Sequence, residues 1–147
     1  MTVNNRLFTY APDEVILVFG PVILGGFAEG TFVNWEYNED FFNLIVGVDG
    51  ESARGKSNNN SCRVTATLMQ TSAANDLLTA IMALDILSPN GDGINPLLLK
   101  DNNGRTLQTA ESAWIVKPPA TSFNRSPDAN REWVFESNHG IPYIGGN

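Results

Sequence analysis

The segment Gly50-Glu51-Ser52-Ala53-Arg54-Gly55-Lys56-Ser57 fits the phosphate-binding pattern G-x-x-x-x-G-K-[ST] at every fixed position. In that pattern backbone N–H groups cradle phosphates, the lysine reaches the terminal phosphates and the hydroxyl meets a magnesium ion. The chemistry needs a helix opening directly after the loop, so that free N–H groups and the helix dipole face the anion. Here the loop is followed by Asn58-Asn59-Asn60-Ser61, all poor helix propagators, and then by an alternating strand. No apolar strand ending in Asp follows to hold the metal. Asp49 and Glu51 also flank the segment with the wrong sign for a triphosphate. A nucleotide-binding enzyme is therefore the second alternative among the functions considered below.

The other chemistry-bearing residues are sparse. Asn90-Gly91-Asp92-Gly93 and Asp101-Asn102-Asn103-Gly104 resemble calcium loops, but neither is followed by a bidentate Glu at the spacing of a 12-residue loop, so both read as turns. His139 is the only histidine and lies in a Gly/Pro-containing tail, where a solvated side chain is expected. The single Cys62 excludes an internal disulfide and a multi-cysteine zinc site, and its place in an alternating run predicts burial. Glu39 and Asp40 share a turn and point apart, which does not suit paired acid–base work. No catalytic residue, cofactor site or metal site is expected.

The elements that would carry these residues are mostly strands. With 147 residues and 42% hydrophobic content the chain reads as a single domain, residues 1–147, with a sizeable core. No apolar run approaches the ~20 residues of a membrane-spanning helix, and the N-terminus has no signal-peptide pattern. Val15 to Phe19 and Val22 to Leu24 are β-branched runs punctuated by Gly20-Pro21 and Gly25-Gly26. Thr31 to Tyr37 and Phe41 to Val48 alternate about an Asn38-Glu39-Asp40 turn and are predicted to pair as one long hairpin, followed by a polar, flexible loop over Asp49 to Ser61. Cys62, Val64, Ala66 and Leu68 are expected inward, with Arg63, Thr65, Thr67 and Met69 outward. One helix is predicted over about residues 73–87, capped by Ser72, with Leu77, Ile81 and Leu84 as its apolar stripe, broadened by Leu78 and Met82. Thr106 to Ala110, Ala113 to Val116 and Trp133 to Glu136 complete the strands, and Trp35, Trp114 and Trp133 are expected in the core. The fold class is mainly β: a β-sandwich or barrel-like unit with one packed α-helix.

The charge is unevenly spread. No Lys or Arg lies between Arg6 and Arg54, an interval holding Asp13, Glu14, Glu29, Glu36, Glu39, Asp40, Asp49 and Glu51. The rest of the chain cancels, so these acids and Arg6 account for the net charge of −7. An acidic-faced hairpin would repel polyanions, which suits a surface near nucleic acid that must not adhere to it; a solvated face kept for solubility is the plainer reading. A general nucleic-acid binder would be basic.

The segments Gly26-Phe-Ala-Glu-Gly-Thr31, Val46-Gly-Val-Asp-Gly-Glu51, Leu68-Met-Gln-Thr-Ser72, Pro96-Leu-Leu-Leu-Lys-Asp101, Ala113-Trp-Ile-Val-Lys-Pro-Pro119, Asn130-Arg-Glu-Trp133 and the terminal Gly145-Gly-Asn147, in that order and spacing, resemble the tail-tube proteins of contractile-tailed bacteriophages. Asn38-Glu-Asp40 and Asn75-Asp-Leu-Leu78 add to the pattern. The resemblance is weakest in the Thr2 to Tyr10 arm and at Asn58 to Ser61. It implies a structural virion protein of the phage tail, made in the host bacterial cytoplasm, with no catalytic residues. It also implies homohexameric rings stacked into a tube whose shared β-barrel conducts double-stranded DNA without binding it. Sheath, tape-measure and baseplate or terminator proteins would be its partners, and no membrane is involved. On that resemblance Asn34, Glu36, Asn43, Arg63, Thr65 and Thr67 are expected to face the channel. Val33, Trp35, Leu44, Val46, Val64 and Leu68 are expected to face the subunit core. Arg54 and Lys56 are expected to meet acids of another subunit. The first alternative is a soluble β-sandwich ligand-binding or adhesin module.

Overall fold

The computed structural model describes residues 7–146. Val15–Phe19 (β1) and Val22–Leu24 (β2) form a tight antiparallel pair, with Phe19 opposite Val22. Gly20 turns the chain at φ 57, where a Cβ would lie 2.7 Å from the Asn95 side chain, so both backbone and space call for glycine. The remaining strands are Val33–Tyr37 (β3), Phe42–Val46 (β4), Ser52–Lys56 (β5), Cys62–Leu68 (β6), Asn95–Asp101 (β7), Leu107–Lys117 (β8), Arg131–Ser137 (β9) and Gly140–Tyr143 (β10); Ala74–Leu87 is helix α1.

The described residues build one eight-stranded sheet in the order β2-β1-β7-β8-β9-β6-β3, with β10 also on β8, and a separate two-stranded sheet of β4 and β5. β9 and β10 follow one another along β8, Ser137 opposite Ala113 and Gly140 opposite Ala110. The sheet curls so that distant strands meet. The chain leaving β2 pairs with the far end of β6: Phe27 bridges Leu68, Ala28 N–H donates to the Thr67 carbonyl and Met69 N–H to the Gly26 carbonyl. The curl encloses Leu17, Phe19, Val22 and Leu24 from one side with Val64, Ala66, Leu68, Trp133 and Phe135 from the other. This is the barrel-like β architecture with one packed helix that the residue pattern predicts.

Helix α1 covers the open side of the curl. Ser72 Oγ accepts from Ala74 N–H and donates to the Gly25 carbonyl, so one side chain fixes the helix start to the end of β2. The indole N–H of Trp133 donates to Asn75 Oδ1 at 2.9 Å, and Asn75 Nδ2 donates to the Met69 carbonyl. The buried stripe is Ala74 and Leu78, with Ile81 and Met82 packed behind. Leu77 and Leu84 face water instead, because helical spacing sets them on the side away from the sheet.

Several expectations are corrected here. β3 pairs with β6, not with β4, and β4 pairs with β5, so the long Thr31–Val48 hairpin does not form and the supposed loop after it contains a strand. Leu44 and Val46 lie 70% and 61% exposed rather than in the core. Thr106 to Ala110, apart from Thr106 itself, and Ala113 to Val116 are parts of one long strand, Leu107–Lys117. Trp114 is only half-buried and stands beside Glu136 on the face opposite the core residues Ala113 and Ile115. The tail after His139 forms β10, while His139 itself is exposed. The Thr2 to Arg6 part of the N-terminal arm lies outside the described residues.

Two outcomes are expected. Asn75→Ala leaves the Trp133 indole N–H unpaired and should destabilise the fold by about 1–3 kcal/mol in a denaturant titration; an unchanged midpoint would show that the helix is held by packing alone. Burial raises the Cys62 thiol above its ordinary 9.0, and burial followed by the neighbouring Cys62 raises the Tyr37 hydroxyl above its ordinary 10.0. The folded state therefore holds these protons more tightly, their contribution is fully present below about pH 9, and stability should fall as pH rises beyond that. Titrations at rising pH check this, and Cys62→Ala should blunt the first part of the fall.

Candidate assembly surfaces

The sequence-predicted residues divide between two of the surfaces this fold leaves open. The first is the outer face of β3, β6, β9 and β8. Side chains at paired positions share a face, so Asn34 stands beside Thr65, Glu36 beside Arg63, Arg63 beside Glu136, and Thr67 beside Glu132. Asn34, Glu36 and Arg63 are exposed, and Thr65 and Thr67 are half-buried. The alternation that sends these residues outward sends Val33 and Trp35 onto the core and Val64 and Leu68 fully into it. Five of the six residues expected at a channel are thus brought onto one face. Asn43 is not: it belongs to β4, in the other sheet.

Glu132 and Glu136 belong to the same face and were not singled out from the sequence; Trp114, expected in the core, stands there too. The signal was available, since Trp133 and Phe135 turned inward require Glu132 and Glu136 outward. Lys117, opposite Val134 beyond a bulge, adds a cation. The face therefore carries Glu36, Glu132 and Glu136 against Arg63 and Lys117. It is polar and mixed in charge rather than strongly acidic. The acids of the early stretch are scattered: Glu39 and Asp40 follow β3, Asp49 and Glu51 lie between β4 and β5, and Asp13 and Glu14 belong to a 3-10 turn at Pro12–Glu14. The expected acidic-faced hairpin does not exist as such.

The second surface is the β4–β5 hairpin. Its base is fixed: Asn38 Nδ2 donates to Ser61 Oγ at 2.9 Å, Ser57 N–H donates to the Phe41 carbonyl, and the Tyr37 and Phe41 rings meet edge-on at 5.0 Å. Beyond the base both faces are in water. Phe42, Leu44, Ile45, Val46 and Val48 are all exposed, Val48 completely so. Phe42 stands opposite Lys56 and Leu44 opposite Arg54, so one face joins three large apolar side chains to both cations. The Arg54 guanidinium lies 4.4 Å from the centre of the Phe42 ring. The opposite face is Asn43, Ile45, Ala53 and Gly55.

This hairpin also contains the phosphate-loop match. Gly50, at φ 87, belongs to the turn, and Gly47 N–H donates to the Glu51 carbonyl across it. Ser52 to Lys56 are extended and paired with β4, so their backbone does not wrap an anion. After Ser57 the chain is bound by local turns, with Asn59 N–H donating to Ser57 Oγ and Ser61 N–H to Asn59 Oδ1, where a phosphate loop would open a helix. The Asp101 and Asp92 segments are likewise turns: Asp101 Oδ1 accepts from Asn103 N–H, and Asp92 N–H donates to Ser88 Oγ.

A family model described as bacteriophage PhiTE tail tube protein matches residues 23–141. A protein of Pseudomonas phage KPP10 described as structural protein ORF10 is 34% identical over 149 residues, covering 97% of this chain and 86% of that protein. Among solved structures, the fold is similar to the tube-terminating cap of the anti-feeding prophage, with a TM-score of 0.62 at 8% identity over 97% of this chain and 96% of the cap chain. It is also similar to a chain of the sheath–tube complex of an extracellular contractile injection system, PVC, in the extended state. There the TM-score is 0.61 at 10% identity, over 93% of each chain. At such identities these structural likenesses speak for the fold alone.

The strand geometry of Ser52–Lys56 leads to a direct expectation. Calorimetric titration with Mg-ATP should give no binding heat for the parent or for Lys56→Ala. Micromolar binding abolished by that substitution would make the segment a nucleotide site.

Proposed function

The chain belongs to the bacteriophage PhiTE tail tube protein family, and from that membership we propose that its copies form hexameric rings that stack into a hollow tube conducting double-stranded DNA. It is a structural component of the virion tail, and its work is mechanical rather than catalytic. One observation carries the assembly reading above others. An isolated two-stranded hairpin is marginal in water, yet this chain extends one that exposes Phe42, Leu44, Ile45, Val46 and Val48. Such a hairpin is a contact waiting for a neighbour.

In this reading Asn34, Glu36, Arg63, Thr65 and Thr67, joined by Glu132 and Glu136, face the channel. Small hydroxyls and interspersed opposite charges offer DNA no run of cations to grip. Asn43 moves with the hairpin and is assigned to the channel only if the hairpin itself lines it. Arg54 and Lys56 meet acids of another subunit. Strand β3, whose second edge has no strand partner in the described sheet, is the natural place for the sheet to continue into the next subunit and so lose its free edge. Sheath, tape-measure and terminator or baseplate proteins are the partners that a tube of this kind requires.

Negative-stain microscopy of the concentrated protein is the test: sixfold rings and hollow tubes are expected, and a monodisperse monomer at every concentration would overturn the reading. A reconstruction with Arg63, Thr65 and Thr67 on the outer wall of the tube would overturn the channel assignment alone.

A further inference from the structure

A groove of about 490 Å3 opens at the end of β2, between the start of β1 and the chain that leaves β2. Ile16, Leu24, Phe27 and Phe32 line it, and Ile23, 70% exposed, also forms part of its wall. Its surroundings are acidic. Asp13 lines the groove, Glu14 is the next residue, and Glu29 follows the lining residue Ala28. The cation that register brings nearest is Lys100, opposite Ile16. No residue of the β4–β5 hairpin lines this groove, so the chain does not fill it with its own projection.

The hairpin is the groove's complement in three respects. It projects where the groove recedes. Its Phe42, Leu44 and Val46 row is apolar, as the groove wall is. Its two cations, Arg54 and Lys56, lie on that same face, whereas Asp13 lines the groove and Glu14 and Glu29 adjoin its lining residues along the chain. Resting on the tube reading, we propose that the Phe42/Leu44/Val46 face of one copy's hairpin seats in the groove at the end of β2 of a second copy, with Arg54 and Lys56 against those carboxylates. Donor and acceptor are different surfaces of one chain, so the contact is head-to-tail. Repetition of such a contact closes a ring or propagates a stack. The contact buries apolar surface that otherwise stays in water, and the charges set its register more than its strength.

Thiol pairing tests it directly. Native Cys62 is fully buried and stays silent, and both Leu44 and Ile23 are exposed, so substitution there spares the core. Copies carrying Leu44→Cys mixed with copies carrying Ile23→Cys, assembled under mild oxidation, should give a disulfide-linked dimer that neither variant gives alone. Linking of Leu44→Cys to Leu84→Cys, on the exposed helix face, would overturn the proposal in favour of that acceptor. Linking of Ile23→Cys to Phe8→Cys would assign the groove to the exposed N-terminal arm and overturn it likewise. Tubes that form without any Leu44–Ile23 link overturn the proposal while leaving the tube reading intact; a parent that never assembles overturns both. As a second arm, Arg54→Glu with Lys56→Glu should raise the concentration needed for assembly about tenfold or more, and adding Asp13→Lys with Glu29→Lys should restore it. Failure of that rescue in a folded protein counts against the pairing.

Discussion

One helix cannot cover an eight-stranded sheet. A sheet buried on one face must pack that face against something, and α1 spans only Ala74–Leu87. The sheet therefore packs against itself, curling until the Leu17 and Phe19 side meets the Trp133 and Phe135 side, with the Phe19 and Phe135 rings 4.9 Å apart. The helix closes what the curl leaves open, and the Trp133–Asn75 hydrogen bond fixes it there. Each fully buried large apolar side chain contributes about 1.5–3 kcal/mol, so the curl is the main source of stability. The outer face of β3, β6, β9 and β8 is left with polar and charged side chains set around half-buried Trp114 and buried Val134.

The functional surfaces are what this economy leaves over. An outer face of Asn, Thr and mixed charges can remain in water or line a wet channel at little cost. The hairpin is different in kind, because it carries large apolar side chains away from the core rather than toward it. The chain buries Leu17, Phe19 and Leu68 completely while holding Leu44 70% exposed, so its apolar residues divide between the core and the surface. The same division runs along α1, whose Leu78 is buried while Leu77, Leu84 and Leu87 are exposed.

How much was legible in the sequence follows from that division. Cys62 to Leu68 read correctly because one face is buried within the chain and period two reports it. The helix was placed within a residue of its bounds, and Val15 to Leu24 by its turn residues. Phe42 to Val46 misled because its strand pairs with β5 in a sheet separate from the core sheet, so alternation there says nothing about the core. The partner of β3 was missed because β6 lies beyond the whole of the hairpin, a long-range pairing that local pattern does not carry. The signal that would have found β5 was Asp49-Gly50, a favoured hairpin dipeptide, which the phosphate-loop match overlay. The charge asymmetry was correctly counted but wrongly placed, since scattered turns and edges carry the acids. Among the residues expected at a channel, Asn34, Glu36, Arg63, Thr65 and Thr67 came out on one face because strand parity is a strong constraint; Asn43 did not, because its parity was reckoned against the wrong sheet.

The central claim is that this chain folds on its own but completes its β4–β5 hairpin only in company. Amide hydrogen exchange measured on the free protein and on its assembled form tests this most directly. Amides of Cys62–Leu68 should be protected in both. Those of Phe42–Lys56 should exchange quickly in the free protein and become protected on assembly. Full protection of the hairpin in the free protein, or rapid exchange within assembled tubes, would contradict the account.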